Sequence, residues 1–441
     1  MSILWYIGFL ALFVIIGGFS LLFRNLVTHR GTGLQLNPPT ILIGSYFLYS
    51  TSLPVSRLFF GSSSSEFDLV SLKLHLFGFL GIALGAIASV VVTRRMEKNS
   101  IGGKSITAPQ FSGSISLRTG LFGALLLLLA GRYFWMAMES LNFSIANVLQ
   151  PYGFEGLEGG GTTDLSNIFV YFGLYSALVF GVTWDRHIRQ LPKSLSVAIY
   201  MLVIILMTFW ILRGSRNMVT ILGLPVIAAI YNNKRLSVIK TIAVGFAISI
   251  LFYMLAGVRN IGLSNASRGD FVEAVKMIDP MNGEFGTSYG VLDHALGFSD
   301  SENLLLGKSY TVDLALNMVP RSWWPNRPDN LAVAFSKRYF NTDLLTEGLG
   351  FTPVLEAYLN FGQFGIIVMF AMFFGIVTIL EDRRQLSDIR GIMLMAFALP
   401  MLVNWNRIDM STAFKMYSGY IAMAFLLPKI LIRGNPGRRT P

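Results

Sequence analysis

Apolar residues in this chain come in long uninterrupted blocks, with the polar residues collected between them. A block of roughly 20 apolar residues is what a helix needs to cross about 30 Å of hydrocarbon, and a helix satisfies its own backbone polar groups there. Such blocks fall at 3–23, 40–60, 69–93, 117–138, 166–184, 195–212, 217–231, 237–257, 353–380, 391–405 and 412–432, which predicts eleven spans. The blocks at 217–231 and 391–405 are short, and each carries a proline (Pro225, Pro400) that predicts a kinked or half-spanning element. The first block begins beside Met1 without a preceding basic stretch and without a small-residue cleavage site after it. It is expected to be a retained span and not a removed signal peptide.

Polar connections between the blocks alternate in charge, which orients the chain. Arg24 and Arg30, then Arg94, Arg95, Lys98 and Lys104, then Arg186, Arg189 and Lys193, then Lys234, Arg235 and Lys240, then Arg383, Arg384 and Arg390, and the tail residues Arg433, Arg438 and Arg439 mark the cytoplasmic side. Connections 61–68 and 139–164 hold no lysine or arginine and several carboxylates, and so face away from the cytoplasm. With eleven spans, Met1 lies outside and Pro441 inside. The chain then divides into spans one to eight (1–257), a large external loop (258–352), and spans nine to eleven with the basic tail (353–441). That loop is long and carries Phe271, Tyr289, Trp323, Trp324, Phe335 and Tyr339 among its aromatics, so it is expected to fold against the bundle. Short helices are predicted at 270–278 and 309–319, with Pro320, Pro325 and Pro328 preventing the second from continuing. The connection 150–164 is glycine-rich but accompanied by acid, which suits a lid or linker better than a phosphate cradle.

Composition agrees with lipid as the solvent: 53% of the residues are hydrophobic and 13% charged, beyond what a soluble core of 441 residues needs. A formal charge of +11 is expected from basic cytoplasmic loops and not from nucleic-acid binding. Without cysteine there are no disulfides, thiol nucleophiles or thiolate metal sites. The four histidines (His29, His75, His187, His294) are scattered, and no nucleotide-binding glycine pattern follows a strand, so no metal and no cofactor are expected.

The candidate chemistry lies in arginines that break the charge rule. Arg213 and Arg216 fall at the outer junction of spans six and seven, Arg259 leaves span eight, Arg321 and Arg327 lie in the loop, and Arg407 lies between spans ten and eleven; Arg57 and Arg132 lie near outer helix ends. An arginine in or beside an apolar span costs about 2.5 to 3.5 kcal/mol on insertion scales, so it usually faces a cavity and a partner. Each alone is open to snorkelling or to an ion pair with Glu356 or Asp409. As a set, they fit a polyanion at the outer surface, because guanidinium grips phosphate with two parallel hydrogen bonds and keeps its charge.

Two stretches carry a resemblance. Met318-Val-Pro-Arg-Ser-Trp-Trp-Pro-Asn-Arg-Pro328 and Glu347-Gly-Leu-Gly-Phe-Thr-Pro-Val-Leu-Glu-Ala-Tyr-Leu-Asn-Phe-Gly-Gln-Phe-Gly365 resemble the Wzy-type O-antigen and oligosaccharide repeat-unit polymerases. Arg213-Gly-Ser-Arg216 and Asn406-Arg-Ile-Asp409 look like the other arginine sites of that group, and Arg327 stands where that family commonly has lysine. The resemblance implies an all-α transmembrane bundle of glycosyltransferase C type in the bacterial inner membrane, working at the periplasmic face without metal. It implies transfer of a growing glycan from undecaprenyl pyrophosphate to a lipid-linked repeat unit, with a chain-length regulator as a further partner. Arg213, Arg216, Arg259, Arg321, Arg327 and Arg407 would hold the pyrophosphate. Glu356, His294 and Asp409 are the candidates for a base on the acceptor hydroxyl, and each has a structural alternative. Trp323, Trp324, Tyr358 and Asn360 would contact glycan, although tryptophans at an interface are also an ordinary membrane anchor. An O-antigen ligase uses the same donor and is hard to separate by sequence. A transporter should show two related halves, which this chain lacks, and a scaffold has no use for the arginines.

Overall fold

The computed structural model describes residues 3–27, 34–35, 37–60, 65–99, 116–144, 165–187, 191–212, 215–231, 235–236, 284–298, 304–319, 323–340, 350–383 and 389–431. Thirteen helices run through these residues: α1 (Ile3–Val27), α2 (Pro38–Phe59), α3 (Asp68–Asn99), α4 (Ser116–Ser140), α5 (Leu165–His187), α6 (Lys193–Leu212), α7 (Arg216–Tyr231), α8 (Glu284–Phe298), α9 (Val312–Asn317), α10 (Leu331–Tyr339), α11 (Pro353–Arg383), α12 (Ile389–Asn404) and α13 (Met410–Leu431). A two-residue antiparallel pair, Leu34 opposite Leu236 and Gln35 opposite Arg235, joins the segment before α2 to the one after α7.

Ten of the eleven apolar blocks lie in helices, and the block at 237–257 lies outside the described residues. Five helices, α1, α3, α4, α6 and α11, are long and apolar enough to cross a membrane, while α7 and α12 are apolar but shorter. Pro225 and Pro400 sit inside continuous helices. One face of α11 carries Phe364, Val368, Met372, Ile376 and Leu380 at four-residue spacing, all more than half exposed, as a surface turned to lipid requires. The chain is thus an all-helical protein built to sit in a membrane.

Two apolar cores hold the helices together. One gathers α4 to α7 with α12 and α13 around Tyr175, Phe180, Trp210 and Phe397; the other gathers α1 to α3, α8, α10 and α11 around Phe13, Tyr46, Phe79 and Phe370. The closest pairing is α3 with α11. Gly81 and Gly85 of α3 lie against Ala371 and Gly375 of α11, and a Cβ on either α3 glycine would come within 2.5 Å of an α11 carbonyl oxygen. Small residues at four-residue spacing on both helices let the backbones approach, the usual device where lipid removes the hydrophobic drive between helices.

In the loop region the expected helix at 309–319 is shorter, running only from Val312 to Asn317. Leu306 and Gly307 take positive φ (46° and 86°), and the amides of residues 305 to 307 are bonded to α11, so 306–311 is a turn. The expected helix at 270–278 and the glycine-rich connection 150–164 lie outside the described residues.

Candidate functional site

A buried polar network is built on a break in α11. At Gly362 the backbone turns to φ 69°, ψ −163°, a conformation essentially confined to glycine. The carbonyls of Leu359 and Asn360 lie just before the break. The 304–311 turn bonds to them: Leu305 N–H donates to Leu359 O and Leu306 N–H to Asn360 O, each at 3.0 Å, and Gly307 N–H donates to Asn360 Oδ1 at 3.0 Å. This is helix capping by a distant loop, and it fixes the turn against the buried first limb of α11.

Glu356 and Asn360 sit one turn apart on that limb, both fully buried. The Ser309 hydroxyl donates to Glu356 Oε1 at 2.7 Å, and Asn360 Nδ2 donates to Ser309 Oγ at 2.8 Å and to the Glu356 carbonyl at 2.7 Å. Glu356 Oε2 accepts from the Met410 N–H at 2.8 Å, at the first residue of α13. Asp409 immediately precedes that helix, is also fully buried, and accepts from the Ser411 hydroxyl at 2.7 Å. Asn330 Nδ2 reaches Asp409 Oδ1 at 3.5 Å and bonds the Thr412 hydroxyl. Two carboxyls therefore meet the N-terminus of α13, where the helix dipole and its free amides favour negative charge. Burial nevertheless pushes the Asp409 carboxyl above the usual carboxylate range, against hydrogen bonds from Thr412 and Ser411 that pull it down. Asp313 on α9 is raised by burial as well, opposed by Lys308.

Arg327 belongs to the same layer. Its Nη1 donates to Val319 O at 2.6 Å and Asn317 O at 2.7 Å, with Leu316 O at 3.4 Å, so the guanidinium closes the C-terminal end of α9, whose Asn317 in turn donates to Ser411. Arg407 is half-buried in the turn between α12 and α13, and its carbonyl accepts from Phe351 N–H at 2.8 Å just before α11. The structure thus brings Glu356, Asn360, Asp409, Arg327 and the Arg407 backbone into one network. The hydrogen-bond partners of the Glu356 carboxyl among the described residues are Ser309 and Met410, not an arginine.

Other predicted residues lie elsewhere. His294 on α8 stacks on Phe340 (centroids 4.4 Å apart) with Nε2 3.3 Å from Tyr339 O. Its neighbour Asp293 accepts from Ser71 at 2.5 Å and is raised by burial. Arg57 is held two-pronged by Asp68, at 3.0 and 3.1 Å, the ion-pair alternative for that residue. Tyr358 packs half-buried against the α1–α3 core, and Trp323 and Trp324 are exposed. Arg213, Arg259 and Arg321 lie outside the described residues, as does the side chain of Arg216 at the start of α7. Among the described residues no three His, Asp or Glu side chains group as metal ligands would.

Sequence reasoning does not single out Ser309, Asn330 or Ser411, which are ordinary loop and cap residues until the fold joins them. Chemically the network holds two buried acids at one helix end. No protein-family model, curated protein or solved structure matches this chain.

Proposed function

We propose that this chain is a bacterial inner-membrane polymerase of lipid-linked saccharide repeat units. In this reading all eleven apolar blocks cross the bilayer, residue 1 lies in the periplasm, the basic tail lies in the cytoplasm, and the polar layer around Glu356 and Asp409 faces the periplasm. The observation that carries it is the arginine set, Arg213, Arg216, Arg259, Arg321, Arg327 and Arg407, in segments that the loop charges read as outward, where connections 61–68 and 139–164 hold no basic residue.

In the reaction, the acceptor hydroxyl of a new undecaprenyl-pyrophosphate-linked repeat unit attacks the anomeric carbon of the growing glycan. The new glycosidic C–O bond forms as the bond to pyrophosphate breaks, and undecaprenyl pyrophosphate leaves with the electron pair. Guanidinium groups held around the leaving diphosphate stabilise its charge with no proton transfer to it. Glu356, His294 and Asp409 remain the sequence-derived candidates for the base, and Trp323, Trp324, Tyr358 and Asn360 those for glycan contact. A chain-length regulator is the protein partner that such a polymerase would take.

Alanine at Arg213, Arg216, Arg321 or Arg407 tests the reading. Each should lower polymer formation by about 100-fold or more with the protein still in the membrane, the usual loss for one charge-stabilising donor. Wild-type polymer from all four would reject it. Long polymer accumulating on the lipid carrier in cells lacking the protein would favour an O-antigen ligase instead.

A further inference from the structure

The surface of α11 changes character at its break. From Pro353 to Asn360 every residue is buried or half-buried, whereas beyond Gly362 the helix bares the stripe that starts with Phe364, itself 82% exposed. That stripe ends at Leu380, about 24 Å away by helical rise. Glu381, Asp382 and Arg383 follow directly, so no apolar residue lengthens it at that end. Hydrocarbon is about 30 Å thick, and an upright helix crossing it needs roughly four more residues before Phe364. Those residues reach back to Asn360, the level at which the 304–311 turn is bonded to α11.

The turn presents apolar side chains at this level. Leu304 is 48% exposed and Leu306 77%. Gly307 packs on the Phe361 ring, where an added Cβ would meet Cζ at 3.0 Å, and the Tyr310 ring lies parallel to it with centroids 6.3 Å apart. Phe361 remains 38% exposed, so the patch runs from the turn onto α11 itself. Leu306 holds φ at 46°, an uncommon conformation for a residue other than glycine. In water this would join an unfavourable backbone to an unfavourable exposed side chain; in hydrocarbon the second cost disappears. Lys308, two positions on, is exposed as well.

We propose that the 304–308 turn is seated in the bilayer. Leu304, Leu306 and Phe361 lie among the outermost acyl-chain segments of the leaflet at the N-terminal end of α11, and Lys308 extends its ammonium to the lipid phosphates. Continuity selects lipid as the partner: at Phe361 the patch meets the lipid-facing stripe of the same helix, and an apolar rim with one cation matches the headgroup boundary. Ser309 of the same turn donates to Glu356, so the seated turn sets the depth of the buried acids at the membrane surface. This seating stands independently of the reaction the protein catalyses.

The test uses full-length protein in vesicles of phosphatidylcholine and phosphatidylglycerol, with one cysteine introduced by Leu306→Cys and labelled with a fluorophore. A nitroxide near the headgroup end of the lipid acyl chain should quench this label several-fold more than one near the chain terminus. Met372→Cys, in the middle of the stripe, should show the reverse order, and aqueous iodide should quench neither label strongly. Leu304→Cys should behave as Leu306→Cys, so that a local disturbance at the positive-φ position does not decide the result. Strong iodide quenching without lipid quenching at both turn positions would overturn the proposal and place the turn in water. Protection from all three quenchers would also overturn it, and would assign the patch to a protein surface, a second copy of the chain included. Absence of lipid quenching at Met372→Cys would remove the lipid face of α11, and the seating of the turn with it.

Discussion

The guanidinium of Arg327 lies against three main-chain carbonyls at the end of α9, which makes it a cap whatever else it touches. Charge-assisted hydrogen bonds of this kind contribute about 1.5 to 3 kcal/mol, so Arg327→Ala should lower thermal stability by that order. Arg327→Lys should lower it less, since a cation at the helix C-terminus survives. Unchanged melting of the alanine variant in detergent would contradict the capping role. At Asp409 the carboxyl is raised by burial, so above the ordinary aspartate range, about 4, the folded chain keeps a proton that the unfolded chain has released. Stability then falls as pH rises through the folded value. Asp409→Asn lacks that fall, so its melting temperature relative to wild type should rise between acidic and neutral pH; a flat difference would contradict the assignment. Glu356 stands out in the sequence as an acid in an apolar block, but Ser309 and Met410 lie 47 and 54 positions away and no local pattern links them to it.

Among the elements, the break in α11 organises the polar network around Glu356. Gly362→Ala meets no steric obstacle but forces a side chain into backbone space reserved for glycine, so it should cost about 1 to 3 kcal/mol, read as a lower melting temperature. Only the fold shows that Gly362 breaks the helix next to the two carbonyls that accept from the 304–311 turn. Packing does govern α3 against α11. Gly85→Leu should destabilise far more than Gly362→Ala, because its Cβ alone would meet the Ala371 carbonyl oxygen at 2.5 Å. The apolar blocks predict helices well because lipid leaves the backbone no other open-chain solution. The loop is less legible: the 306–311 turn is decided by distant partners on α11, against local helical pattern.

For the whole molecule, a single-cysteine survey is straightforward, since the chain has no native cysteine. Probes impermeant to the inner membrane should reach position 323 from the periplasm and position 439 only from inside; the reverse would overturn the orientation drawn from loop charges. Polymerase activity is tested most directly by deleting the gene in its own bacterium and separating the extracted surface glycans by size. Loss of a polymerase should collapse the ladder to a single repeat unit, and an unchanged ladder would contradict the assignment.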